Sequence, residues 1–290
     1  MKLSVALQLG RVSNLPTVWS NVLTGMALAG AATADSRLFI LVASFSLFYV
    51  GGMFLNDAFD HGFDAKARPE RPIPSGQASA AQVHAFGFGM MVAGLALLAW
   101  VGYGYEPLTQ WRPVAAGIAL AAAIVFYNWH HKNNPLSPLV MGVCRMLVYL
   151  TAALAVSAVV PQQVIIAAVV LLCYLIGLTY AAKKEHLGSL ENVWPLAFLA
   201  VPVAYGIYLA TAQPMVVLPL VLLVAWGLRA LRLLRRRKPG DVPRAVVSLI
   251  AGISLLDAML LAGSSHILFA CLAALAFVVT LALQRWISGT

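Results

Sequence analysis

Apolar residues along this chain come in runs of about 20, separated by short polar breaks, from one end to the other. A helix rises 1.5 Å per residue and needs about 20 residues to cross a ~30 Å hydrocarbon core, so each run has the length of a membrane span. The breaks predict ten spans, at about 13–33, 37–58, 79–104, 112–131, 136–158, 162–182, 193–211, 214–234, 243–263 and 266–286. In lipid a helix satisfies its backbone groups within one segment, and these runs are too long for barrel strands. The expected fold is all-α, a polytopic transmembrane helix bundle of nine or ten spans, in one domain over 1–290.

Composition agrees. Of 290 residues 61% are hydrophobic and 10% charged, where a soluble domain carries about a quarter charged residues. The first run follows Lys2 and Arg11, but its length and the spans directly after it predict an uncleaved helix rather than a signal peptide. Cys144, Cys173 and Cys271 stand singly in apolar segments, which excludes a zinc set or disulfide framework. Of the 19 Lys and Arg residues, all but Arg37, Arg112 and Arg145 fall on one side of a ten-span chain. Cytoplasmic loops are the basic ones, so that side and both termini are expected in the cytoplasm, in a bacterial inner membrane. Orientation and attraction to anionic lipid account for the net charge of +9, and no nucleic-acid partner is expected.

The densest polar signal is Asn56-Asp57-Ala58-Phe59-Asp60-His61-Gly62-Phe63-Asp64, at the end of the second span. An acidic residue in lipid costs several kcal/mol, roughly, unless it has a partner. On a helix, Asp57, Asp60 and Asp64 share one face, with Asn56 beside Asp60. Hard oxygen ligands of this kind suit Mg²⁺, which takes one or two protein carboxylates alongside substrate phosphates. Lys66, Arg68 and Arg71 follow in a stiff stretch containing Pro69, Pro72 and Pro74. Acids, metal and bases together predict a pocket for a polyanion.

Asn-Asp-x-x-Asp-x-x-x-Asp followed by Arg-Pro-x-Arg-Pro-Ile-Pro-Ser-Gly resembles the first aspartate-rich motif of the UbiA family of intramembrane prenyltransferases. The resemblance extends to Arg11-x-x-Asn14-x-Pro16-Thr17-x-Trp19 and to Tyr127, Asn128 and Lys132 after the fourth span. It implies a helical bundle, usually of nine spans, around a lipid-open cavity capped by two aspartate-rich loops. It also implies that Asn56, Asp57 and Asp60 hold Mg²⁺ and an isoprenoid diphosphate, supported by Asp64, and that Lys66, Arg68 and Arg71 neutralise the leaving group. Tyr127, Asn128, Lys132 and Asn14 would line the same diphosphate end.

The chain departs from the family between spans 6 and 7, where a second aspartate cluster is normal. Residues 180–192 contain no aspartate, so the resemblance is to a UbiA-like branch with an altered second motif. Glu185 is the expected ligand for a cation there, with Lys183 and Lys184 contacting phosphate in place of a second metal. Arg145 lies about nine residues into its span and is expected to face the interior, toward the diphosphate or acceptor or in an ion pair with Asp257. His130 and His131 are adjacent, so they do not face one metal site. Phe59, Phe63, Tyr127 and Tyr174 are candidates to stabilise a carbocation through their π faces.

The expected activity is Mg²⁺-dependent transfer of an isoprenyl group from an isoprenoid diphosphate to an acceptor that the sequence does not specify. Lipid from the membrane is the remaining partner. Two other classes stand beside it: a non-catalytic isoprenoid-lipid carrier derived from the same fold, and a secondary transporter, which calls for inverted repeats that the sequence lacks.

Overall fold

A computed structural model of the chain describes residues 1–132, 134–183, 194–236, 238–287 and 289, Lys183 by its backbone alone. Among the described residues there are eleven α-helices and no strand. The short α1 (Leu3–Leu9) is followed by α2 (Leu15–Leu28), α3 (Arg37–Ala67), α4 (Ala80–Gly104), α5 (Arg112–His130), α6 (Ser137–Leu154), α7 (Gln162–Lys183), α8 (Ala200–Ala212), α9 (Val217–Arg236), α10 (Asp241–Gly263) and α11 (Ile267–Leu283). Helices α2 to α11 occupy the ten expected spans. Eight of these segments are long and apolar enough to cross a membrane, α8 by including the 3₁₀ turn before it. Helices α2 and α11, with 14 and 17 residues, are shorter.

Two boundaries differ from expectation for identifiable reasons. Helix α3 continues to Ala67 rather than ending near 58, because the first proline after it is Pro69. Arg68, the residue before that proline, leaves the helical region at φ −146°, as pre-proline sterics demand. The whole Asn56–Asp64 motif is therefore helical, at the end of a 31-residue rod about 46 Å long. Helix α2 stops at Leu28 rather than 33. Gly30 takes a left-handed φ of 92°, and the Ala31 amide turns back to the Met26 carbonyl, which closes the helix end.

Contacts between distant segments show that the helices run back and forth between two ends. At one end Arg11 meets Asn56 and Asp57, Asn56 meets Asn128, and Gln284 and Gly289 meet Asn14. At the other, Gln163 donates to the Leu28 carbonyl and Arg37, paired with Asp35, approaches the Ala155 carbonyl. The two terminal segments thus meet at the motif end, as an even number of passes requires. Helix α10 is the central one, buried almost throughout and packed against α2, α7, α9 and α11.

Helix α3 is held against α4 by close backbone approach. A Cβ at Gly51 would sit 2.8 Å from the Gly87 carbonyl oxygen, one at Gly94 would sit 2.9 Å from the Phe48 ring, and Ser44 Oγ donates to the Gly94 carbonyl at 2.8 Å. Small residues let helices approach in this way where lipid supplies no hydrophobic drive for association. Gly51→Val should therefore lower stability by about 1–3 kcal/mol. Gly62→Ala, whose added methyl group meets nothing within 4 Å, should not. Thermal unfolding in detergent checks this, and equal melting temperatures for the two variants would remove the packing role.

Candidate active site

The three motif aspartates do share one face of α3 and are almost fully buried, at 7%, 9% and 3% exposure for Asp57, Asp60 and Asp64. Their side chains nevertheless part into two sets. Asp57 and Asp64, seven residues apart and nearly in line along the helix, both receive Arg71, at 3.3 and 2.7 Å. Asp60 turns toward the end of α5, with Lys132 Nζ 3.0 Å from Oδ1 and His131 Nε2 3.5 Å from Oδ2. Among the described residues no three His, Cys, Asp or Glu side chains close on one point.

Arg11 completes the arrangement. Its Nη2 donates to Asn56 Oδ1 at 3.3 Å and to Asp57 Oδ1 at 3.2 Å, and its Nη1 lies 3.7 Å from Met53 Sδ. The residue sits in the left-handed backbone region, φ 43° and ψ 46°, where a side chain costs about 1–2 kcal/mol. That turn carries the chain from α1 into α2 and delivers the guanidinium to the α3 face. Asn128 sets the other side of Asn56: it accepts from Asn56 Nδ2 at 3.1 Å and donates to the Gly52 carbonyl at 2.9 Å. The Asn56 amide nitrogen is thereby committed to α5, and its oxygen is presented beside Asp57.

The structure brings together Asn56, Asp57, Asp60, Asp64, Arg71, Asn128 and Lys132. Tyr127 joins them, its ring stacked on His131 with centroids 5.0 Å apart. Lys66 is exposed on the last turn of α3, and Arg68 follows at its end, its amide bonded to the Asp64 carbonyl. Asn14 is directed elsewhere, donating to the Gly289 carbonyl at 2.8 Å and accepting from Gln284 at 3.0 Å. Arg145 is directed elsewhere too, bonded to Asn21 and Thr17. It makes no direct ion pair with Asp257; Asn21 stands between them, donating to Asp257 Oδ2 at 2.8 Å. Lys184, Glu185 and the Lys183 side chain lie outside the described residues.

Two participants escaped the sequence reading. In the sequence Arg11 reads as one more orienting charge, although it opens the segment that carries the resemblance. His131, adjacent to His130 in the sequence, faces Asp60 by itself.

Behind this end lies an apolar cleft of about 580 Å³, its open side included, between α2, α3, α5 and α6. Gly52, Met53, Tyr127 and Asn128 line it next to the motif, and Phe45, Phe48, Tyr49, Leu120, Cys144 and Arg145 line it elsewhere. Tyr127 is the one expected carbocation-facing aromatic among these lining residues. Tyr174 is core, donating to the Leu249 carbonyl; Phe59 packs edge-on against His84, and Phe63 lies 3.5 Å under Lys132 Nζ.

The donor set suits a hard cation and a polyanion. Asn56 Oδ1 and Asp57 Oδ1 converge on one cationic nitrogen, so two hard oxygens of the kind that Mg²⁺ takes face a common point. Asp57, Asp60 and Asp64 are balanced by Arg11, Arg71 and Lys132, so a metal and a diphosphate would enter a site close to neutral. The Lys132 ammonium is buried, 3.0 Å from Asp60 Oδ1 and over the Phe63 ring. An ammonium carries three N–H groups, so it can reach a phosphate oxygen as well as Asp60.

Comparison with known proteins gives the family and the fold. The model of the UbiA prenyltransferase family matches residues 18–253. A digeranylgeranylglyceryl phosphate synthase from Methanopyrus kandleri is 28% identical over 201 residues, 69% of each chain. One of the same name from Ignicoccus hospitalis is 34% identical over 126 residues, 43% of this chain and 38% of that relative. A solved chain from work on digeranylgeranylglyceryl phosphate synthase in membranes superposes with a TM-score of 0.56 at 19% identity. That superposition covers 97% of this chain and 96% of the other, which establishes the shared fold. With more than half its length matched, this integral membrane helix bundle belongs to the UbiA prenyltransferase family, as an enzyme of isoprenyl transfer rather than a lipid carrier.

Proposed function

We propose that the chain transfers an isoprenyl group from an isoprenoid diphosphate in a Mg²⁺-dependent reaction, with the diphosphate at the α3 motif and the chain in the cleft behind it. The observation that carries this reading is the continuity of the two. Asn56 and Asn128 are bonded to each other, and Asn128 is also a wall of the aromatic cleft. A polar head held at the motif therefore leaves an apolar tail directly at the cleft mouth. The relatives named above are digeranylgeranylglyceryl phosphate synthases; the acceptor of this chain is a separate question.

Asn56 and Asp57, with Asp60 and Asp64 beside them, are the residues that would hold Mg²⁺. When bound, the metal supplies Lewis-acid polarisation of the diphosphate oxygens. The protein's own part is to position and to neutralise. Arg11, Arg71 and Lys132 move from carboxylates to phosphate oxygens as the leaving group enters, with Lys66 and Arg68 at the rim. The bond from the allylic carbon to the diphosphate oxygen breaks, and its electron pair leaves with the diphosphate. The acceptor bonds to that carbon and gives up a proton to the departing diphosphate. Tyr127 and the phenyl rings of the cleft face the cationic carbon and exclude water from it. The motif end is assigned to the cytoplasm, because Lys66, Arg68, Lys132, Arg235, Arg236 and Lys238 all lie toward it.

The deciding experiment is diphosphate release from labelled C10 to C20 allylic diphosphates by purified protein. Release should require Mg²⁺ and stop on chelation. Release that persists in EDTA would overturn the metal dependence. Asp60→Asn and Asp57→Asn should each reduce turnover at least roughly a hundredfold while the protein still inserts in membranes, and unchanged turnover would sink the assignment. Asn128→Leu leaves the Asn56 side-chain amide nitrogen without its partner, so it should cost about 1–3 kcal/mol of stability. Its melting temperature, set beside that of Tyr127→Phe, measures this.

A further inference from the structure

Helix α9 turns one face outward along its length, and that face changes chemistry partway. Leu218, Val221, Ala225, Arg229, Arg232 and Arg236 are all exposed, and their spacing of three and four residues puts them in one stripe. The stripe is hydrocarbon as far as Ala225 and cationic from Arg229 onward, the order in which a lipid lying beside it presents acyl chain and headgroup.

A long basic side chain near a helix end reaches the headgroups by snorkelling and needs no site to do so. Arg229 is instead held in place. Its guanidinium carbon lies over the Trp226 ring, 4.4 Å from the centroid. The indole is itself fixed by two other helices: Nε1 donates to the Ser248 carbonyl of α10 at 2.8 Å, and the ring meets Phe277 of α11 in a T-shaped contact with centroids 5.0 Å apart. Trp226 therefore crosses α10 between α9 and α11 and floors a groove there.

Arg244 stands at the mouth of the same groove. It is exposed and shares a face of α10 with Val247 and Ser248. The Ser248 carbonyl takes Trp226 from one side, and the Val247 carbonyl takes Gln284, at the end of α11, from the other at 3.3 Å. Counted from Trp226 and Ser248 toward the turn that joins α9 to α10, Arg229 is three residues on and Arg244 four, so the two cations lie within roughly one helical turn of each other in height.

The local acid is already engaged. Asp241 accepts from Arg236 Nε and Nη2 at 2.7 and 2.6 Å and from the Lys238 amide at 3.0 Å, which clamps the turn. Among the described residues neither Arg229 nor Arg244 forms an ion pair. Two guanidinium groups on fixed helices, each with five N–H donors, suit the oxygens of a phosphate.

We propose that this groove binds one anionic phospholipid, its phosphate between Arg229 and Arg244 with Arg232 beside them, and an acyl chain along the outer face of α9, where Leu218 and Val221 are 68% and 56% exposed. The groove is separate from the cleft between α2, α3, α5 and α6, and the inference does not rest on the proposed reaction.

The test is titration of the full chain in detergent with phosphatidylglycerol and with phosphatidylcholine of the same acyl chains, read by native mass spectrometry. One phosphatidylglycerol should bind in preference to phosphatidylcholine. Arg229→Gln with Arg244→Gln should weaken that binding roughly tenfold or more. Arg235→Gln with Lys238→Gln removes the same charge from the exposed turn and should leave it unchanged. Both double variants change exposed side chains, and matching melting temperatures show that they are folded. Soluble glycerol phosphate should not displace the lipid; displacement would make this an anion site open to water and overturn the lipid assignment. No preference between the two lipids, or an equal loss in both double variants, as diffuse attraction to basic surface produces, would overturn the inference.

Discussion

A carboxylate on a helix that descends into lipid has no water to solvate it, and the bundle around α3 is arranged to meet that need. Arg11 arrives from the N-terminal segment, Arg71 from the proline-rich loop, and Lys132 with His131 from the end of α5. Each base comes from a different part of the chain, so pairing the three aspartates also ties those segments to the end of α3. The ion pairs are buried, and breaking one by removing a single partner leaves an uncompensated charge.

The rest of the architecture places a cleft behind that cluster. Close approach of α3 to α4 through Gly51, Gly87 and Gly94 fixes the depth and rotation of the motif helix. Asn128 then joins α3 to α5 at the one level where the polar end meets the apolar cleft. Polar residues inside the bundle follow one rule at both levels. Asp257 is enclosed by Tyr149 and Asn21, and Asp60 by Lys132 and His131.

The terminal segments contribute more than their position in the chain suggests. Asn14 links α2 to the C-terminal residues through Gly289 and Gln284. The left-handed turn at Arg11, immediately before it, gives the first helix its entry angle. The strained backbone at Arg11 is held by a side chain that bridges Asn56 and Asp57.

The sequence by itself determined the solvent, the secondary structure and the polar end. Run length against bilayer thickness leaves helices as the only option, and three acids at i, i+3 and i+7 share a face on any helix. It also marked Arg145 as interior, because a guanidinium in mid-span has no acceptable outward direction. Helix ends were less legible, since apolar runs mark where lipid begins and backbone geometry marks where a helix stops. Gly30 and Pro69 decided α2 and α3. Only the tertiary structure decided how the charges are shared. Periodicity sets which face a side chain leaves from, but its partner is set by what packs opposite. That is why Asp60 parts company with Asp57 and Asp64, why Arg11 proves to be part of the site, why Asn14 is drawn to the C-terminal end, and why an amide separates Arg145 from Asp257.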